Sequence, residues 1–508
     1  MKPGGEPNCP ADQKGIGRLP ADRPNCLIIS LTLRVLRLLT RIGKSFSAFL
    51  QLQTSPVLVG AILLLLPMVG QAQYPVTGTL FTLQQSGPVS NRLNVVVISE
   101  GYTTNDLANH FLADVTNAMV NIFSYAPYQE YQNYCNVYAI AVPSTNSGST
   151  HPAYSLTNHT YFRSSYDPYY DYVISIPATG LIKMTNLLTR LLPQAGLPVM
   201  LVNDVVDGGG GGVADVISRG ASQREILTHE TGHTLGRLQD EYEYSYPDLN
   251  LSNAAAAANT SRTTNPISWS AWITNGTPIP TPANTLPAGT VGLFLGANYQ
   301  TNGWYRPQED CMMRILGSPY CAVCSEALVK AIGKKARVVD SCSPATNGII
   351  TYTNIQTQLF SITEPQPLTH NLTNQWSVNG APISGATNRT FLFSPDQYTN
   401  GNYTLKVTVH DPTTLVRTDP SNYLNGSLTW NLIVNQYKLN LENTRLTTTG
   451  GFALRASGNA PFGFVIQGSS NLVNWQALAT GSLSGGQYYF TNKPITRASY
   501  FYRARLLP

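Results

Sequence analysis

His229-Glu230-Thr231-Gly232-His233, continued by Thr234-Leu235-Gly236-Arg237-Leu238-Gln239-Asp240-Glu241-Tyr242, is the stretch around which this 508-residue chain is organised. It holds the HExxH pattern of a zinc peptidase. Residues four apart share one helix face, so His229 and His233 can grip one metal ion. Glu230 is turned about a quarter of the way round the helix from His229. That sets it beside the metal, where it can take a proton from a water whose pKa zinc lowers towards about 7. Ser222-Gln223-Arg224-Glu225 fits a capping box and predicts a helix starting near Gln223. Gly236 is the expected exit. A lone HExxH can equally be a surface helix with two histidines; the cap, the glycine and the carboxylates after them argue for the metal.

Charge is uneven along the chain. The total is 32 Lys/Arg against 27 Asp/Glu, a net of +5. Residues 1–72 hold eight of the bases and three of the acids, so the remainder carries 24 of each. The basic balance belongs to the leader and gives no reason to propose nucleic acid as a partner. Val57-Leu58-Val59-Gly60-Ala61-Ile62-Leu63-Leu64-Leu65-Leu66-Pro67-Met68-Val69 is a short apolar run, and Gly70-Gln71-Ala72 is a small-x-small cleavage pattern. Together they read as a secretory signal, with a retained membrane anchor as the alternative. Export would place the protein outside the cell or at its surface.

Five cysteines follow the leader: Cys135, Cys311, Cys321, Cys324 and Cys342. In a secreted chain these predict structural disulfides around the segment from Cys311 to Cys342. Cys321-Ala322-Val323-Cys324 has no second CxxC partner pair, which argues against a zinc ribbon.

Asn94-Val95-Val96-Val97-Ile98-Ser99 is a buried-strand run, and Leu107, Phe111, Val115 and Met119 recur at helical spacing after it. Val137 to Val142 is a second strand, Leu181 to Leu192 a helix and Val199 to Val202 a third strand. Strand, helix, strand predicts an α/β layer over residues 75–340. Gly208 to Gly212 lacks the Lys-Ser/Thr of a phosphate loop and is read as a close-packed loop. The strand Val213 to Ile217 behind it is expected to line a cleft and pair with an extended substrate, the glycines letting a peptide come close.

Asn91-Arg92-Leu93-Asn94-Val95-Val96-Val97-Ile98-Ser99-Glu100-Gly101-Tyr102, Asn136-Val137-Tyr138-Ala139, the poly-Gly segment and above all His-Glu-x-Gly-His with Leu238-x-Asp240-Glu241-Tyr242 resemble the bacterial IgA-peptidase family of zinc metallopeptidases. The resemblance covers roughly residues 80–335 and departs from the family at Glu100, where Asp is expected. It implies a secreted, zinc-dependent endopeptidase on a zincin-like α/β fold, acting on protein or peptide substrates. The family's name does not make immunoglobulin A the substrate. A metzincin would place a third His at position 239, which is Gln239 here. Asp240 matches the family's acidic position and is the expected third zinc ligand, with Glu241 as the second choice. Cys311-Met312-Met313-Arg314 resembles the family's second signature, with Met313 the candidate for a methionine packed under the ligands; ordinary core packing is the alternative. Tyr242, Tyr244 and Tyr305 are candidates for an oxyanion-stabilising hydroxyl. His370 and His410 read as surface residues.

After Cys342 the pattern changes to short strands and polar turns. Residues 345–435, with Trp376 between sheets, resemble an immunoglobulin-like or PKD-like β-sandwich. Residues 437–508 resemble a small β module of secreted bacterial proteins that could contact carbohydrate or a cell surface. The stretch from Ala254 to about Pro287 is expected to be a long surface loop. The competing function is a catalytically silent metal-binding surface protein or adhesin acting through these β modules.

Overall fold

The computed structural model describes residues 78–243, 255–460, 463–483, 486–493 and 499–507. The leader expected over residues 1–72, together with Tyr244 and Ala254, lies outside them. Among the described residues no helix is long and apolar enough to cross a membrane.

β2 (Leu93–Glu100) explains the layout. All eight of its residues are buried. A strand can bury both faces only if layers cover both. It runs parallel to β3 (Cys135–Ala141) on one side and to β6 (Leu197–Val202) on the other. β1 (Thr79–Gln84) closes one edge antiparallel to β3. β8 (Asp215–Ser218) lies parallel to β6, and β7 (Gly209–Gly210) pairs antiparallel with β8 at the other edge. The sheet order is β1-β3-β2-β6-β8-β7. A short ribbon, β4 (Ser165–Tyr166) with β5 (Ile174–Ser175), stands apart from it.

Because side chains alternate along a strand, β2 feeds two cores. Val95 and Val97 meet α1 (Leu112–Ile122), α3 (Gln223–Thr234) and α4 (Ala322–Lys335) through Val115, Met119, Leu227, Leu328 and Ile332. Val96 and Ile98 meet α2 (Ala178–Leu191) through Met184, Leu187 and Leu188. Three helices on one face and one on the other make the α/β layer. Glu100 ends β2 inside the protein: it accepts hydrogen bonds from Thr160 Oγ1 (2.5 Å), Phe162 N (3.0 Å) and Ser164 N (2.7 Å). It ties down the 160–164 loop and takes no part in the histidine cluster.

Several expectations are corrected. Ser222 is the N-cap of α3, but its side chain makes no capping bond. Its hydroxyl and backbone N–H both turn to Asp207, at 2.8 Å each, so Asp207 fixes the helix start instead. The helix ends at Thr234, and the left-handed residue after it is Arg237 (φ 55°), not Gly236. Gly236 is needed for space: a Cβ there would fall 2.8 Å from Gly232 O and 2.9 Å from Leu328. The strand expected to pair with an extended substrate is covered in part: β7 pairs Gly209 and Gly210 with Ile217 and Val216 of β8, and Gly209 is itself bridged to Val173. The stretch after residue 255 is no mere surface loop, since Asn259 and Trp269 are buried in the core. All five cysteines are free, so the disulfide expectation fails.

From Ser341 the chain forms two sheets, one of three strands and one of five, that close on Trp376, Trp430, Phe360 and Phe393. The two indoles stack 5.5 Å apart. The module after Tyr437 has two three-stranded sheets around Leu454, Phe464 and Phe490. The seam between the α/β layer and the first sandwich is polar and buried. Arg92 reaches Asp340 through both guanidinium nitrogens, at 2.5 and 2.8 Å. His370, far from being a surface residue, bridges Glu130 (2.8 Å) and Asp411 (2.6 Å).

The Arg92 side chain is 2 % exposed, so removing its partner strands a buried charge. Asp340→Ala is expected to lower the unfolding free energy by about 3–5 kcal/mol. Chemical denaturation of the variant beside the native chain measures it, and equal midpoints would show that the pair contributes nothing.

Candidate metal centre

α3 presents its two histidines on one face, and the chain after it doubles back. Leu238 N–H caps the helix end by donating to Gly232 O at 3.1 Å. Two residues on, Asp240 lies against the imidazoles. His229 Nε2 and His233 Nε2 are 3.2 Å apart, and Asp240 Oδ1 stands 3.1 Å from the first and 3.2 Å from the second. Ligands about 2.0–2.1 Å from a tetrahedral zinc stand about 3.3 Å from one another, so the triangle has the size such an ion requires.

The ring nitrogens behind the triangle are committed. His229 Nδ1 bonds Met312 O at 2.9 Å, and His233 Nδ1 bonds Leu238 O at 2.8 Å. A carbonyl can only accept, so each Nδ1 carries the hydrogen and each Nε2 offers its lone pair to the shared point. Asp240 Oδ1 is buried and has no hydrogen-bond donor. An orphaned carboxylate oxygen between two imidazole lone pairs fits a cation. The three residues form one of two side-chain groups that could hold a metal among the described residues.

In the absence of a metal the same cluster draws protons instead. Burial opposes the charge on Asp240, yet the flanking rings of His233 and His229 hold its carboxyl well below the usual carboxylate range. Burial also opposes charge on His233, but Asp240 outweighs it and lifts the ring to about 10. Burial raises the carboxyl of Glu230, with both histidines opposing.

Bare backbone lies against Glu230. A Cβ on Gly211 would fall 2.9 Å from Glu230 Oε2 and 2.9 Å from His233 Cβ. The glycine run is thus a close-approach segment, tied to the helix by Gly212 N–H donating to Thr234 Oγ1 at 3.0 Å. Met313 is fully buried beneath the ligands, with its sulfur 2.4 Å from where a Cβ on Gly232 would be. Glu241, the second choice for third ligand, points away from the histidines, towards Cys324 Sγ at 3.1 Å.

Two positioning residues, Tyr299 and Asp215, carry no role in the sequence reading. Tyr299 donates its hydroxyl to Asp240 Oδ2, and Tyr242 donates to Tyr299 at 3.2 Å. Tyr242 therefore faces Asp240's support, and Tyr305 lies in β10 (Gln300–Arg306), its backbone paired with Ser261. Tyr299 and Asn298 both have positive φ (64° and 51°), the two-residue turn joining β9 (Phe294–Ala297) to β10. Asp215, buried in β8, accepts from Thr231 Oγ1 at 2.7 Å and fixes α3 to the sheet; burial raises its carboxyl to about 7. A lone Asp inside an apolar strand was the available signal for it.

Residues 81–287 and 283–332 match the family model described as IgA Peptidase M64. No curated protein matches the chain. Among solved structures the chain is similar to apo β-glucuronidase 3 of Bacteroides uniformis, at 8% identity and a TM-score of 0.14, covering 41% of this chain and 27% of that one. It is also similar to the chicken CNTN1 FN1–FN3 domains, at 11% and 0.17, covering 34% and 62%. The chain thus spans less than two thirds of either, and likenesses this slight carry no argument.

Gly232→Ala is expected to destabilise the protein by about 1–3 kcal/mol, because the added methyl overpacks against Met313. Met313→Ala in the same chain should recover part of that loss. A double-mutant cycle on thermal unfolding measures the coupling, and strict additivity would show that the two residues do not press on each other.

Proposed function

We propose, from the premise that the chain belongs through residues 81–332 to the family described as IgA Peptidase M64, that it is a zinc-dependent endopeptidase acting on protein or peptide substrates. In this reading His229, His233 and Asp240 hold the metal and Glu230 is the general base. The 3.1–3.2 Å triangle with its orphaned Asp240 oxygen is the observation that carries it. When bound by His229, His233 and Asp240, zinc would supply the Lewis acidity that activates a water and polarises a scissile carbonyl.

The chain's own residues do the rest. Glu230 takes the proton of the attacking water and passes it to the leaving amine. Tyr299 and Tyr242 hold Asp240 in place, and the Met312 and Leu238 carbonyls hold the rings. The basic leader with its apolar run would export the enzyme, and the C-terminal β modules would serve surface or carbohydrate contact. An intact Glu230 favours an enzyme over a silent metal-binding adhesin.

Glu230→Gln should keep its zinc and lose about 10²–10⁴-fold in peptide cleavage, measured by elemental analysis beside a peptide-library assay. Full activity in that variant would sink the assignment. Tyr299→Phe should weaken zinc binding by about 10–100-fold, since the support of a metal carboxylate is removed; a chelator competition titration reads this directly. Zinc uptake should also release protons. A metal takes the neutral ring, whereas His229 and His233 are both raised in its absence. Affinity is therefore expected to fall as pH drops from about 10 towards neutral. Calorimetry in two buffers of different ionisation enthalpy tests this, and uptake with no proton release would contradict it.

A further inference from the structure

We propose that Cys311, Cys321, Cys324 and Glu241 form a second metal site, closed and structural, for a thiophilic divalent ion, with zinc the first choice. Sulfur-rich four-ligand sets select such ions, and a site without an open position holds a fold together. The four ligand atoms lie within 4.8 Å of one another. All four residues are buried, Glu241, Cys311 and Cys324 completely.

The spacing separates a metal site from a disulfide. Cys311 Sγ and Cys324 Sγ are 3.6 Å apart. A disulfide needs about 2.05 Å. Two thiolates about 2.3 Å from a tetrahedral zinc stand about 3.8 Å apart. The sulfurs are also placed to carry negative charge. Cys321 N–H points at Cys311 Sγ (3.3 Å), and Cys324 N–H points at Cys321 Sγ (3.4 Å), where Cys321 caps the start of α4. Backbone donors and a helix N-terminus both favour an anion.

Glu241 supplies the independent observation. Its Oε1 accepts from Asn259 Nδ2 at 2.9 Å, and its Oε2 is buried with no partner. A fully buried carboxylate with an orphaned oxygen, surrounded by three thiols, lacks only a cation to compensate it. Metal entry would release the three thiol protons to solvent, with no change of oxidation state. Asp240 and Glu241 are consecutive and face opposite ways, so this ion would pin the segment that delivers Asp240 to the histidines. The site does not rest on the peptidase reading.

The test uses the purified full chain, a His229→Ala/His233→Ala variant and Cys321→Ser. Zinc per chain is measured by elemental analysis, ligand type by zinc X-ray absorption, and the thiol state by intact mass without reductant. Two zinc ions are expected in the native chain. One should remain in the histidine variant, with sulfur neighbours at about 2.3 Å. Cys321→Ser should lose that ion. If either variant fails to fold, the absorption spectrum of the native chain decides, since the histidine site contains no sulfur. Only nitrogen and oxygen neighbours there, a folded histidine variant without zinc, or a mass two hydrogens light from a Cys–Cys bond would each overturn the proposal.

Discussion

Two neighbouring carboxylates, Asp240 and Glu241, are buried back to back in the heart of the α/β layer. Putting a carboxylate out of reach of water is costly unless hydrogen-bond donors or an opposite charge meet it. The surrounding structure is arranged around that demand. Asp240 is met by the edges of two imidazoles and by Tyr299; Glu241 is met by Asn259 and the thiol group. The backbone between them is held by Glu241 N–H donating to Met313 O and by Asn298 N–H donating to Asp240 O. Met312 O, one residue earlier on the same turn, receives His229. One short turn therefore positions a ligand and the segment carrying another, which explains why Cys311, Met312 and Met313 are all completely buried.

Reading the sequence worked where a physical period or a local chemical rule was at stake. The i, i+4 histidines had to share a helix face, and the unbroken apolar run of β2 had to be an interior strand. Asp240 was preferred over Glu241, and the structure turns only Asp240 to the histidines. The family resemblance marks Met313 as a methionine packed under the ligands, and in the structure it is buried against Gly232, which lies between the two histidines in sequence. The histidine pair, the β2 run and Asp240 depend on residues close in the chain; Met313 lies far from the helix it packs against and was marked only by the resemblance.

The features that were not legible depend on residues far apart. Ser222 has the right spacing for a capping box, but Asp207, fifteen positions away, competes for it and wins. Tyr299 sits at a left-handed turn position that favours Asn or Gly, so no turn signal announced it. The CxxC lacked a second pair in sequence, and its companions Cys311 and Glu241 join it only through the fold. His370 looked exposed because both of its acidic neighbours, Glu130 and Asp411, come from other parts of the chain.

The polar seam around His370 bears on where the protein can be cut. Sequence pattern places a boundary near residue 340, where strand composition changes. The α/β layer nevertheless leans on the first sandwich: Tyr131 donates to Asp411 at 3.0 Å, Leu368 N–H donates to Glu130 O, and Glu326 on α4 receives Thr418 and Arg417 N–H. A fragment ending at 340 would leave Tyr131 and Glu130 facing solvent without Asp411 and His370, and Glu326 with Trp272 and Lys330 alone. The α/β layer and the first sandwich are therefore expected to unfold together. The sandwich is less an appendage than the outer wall of the layer that carries the histidines.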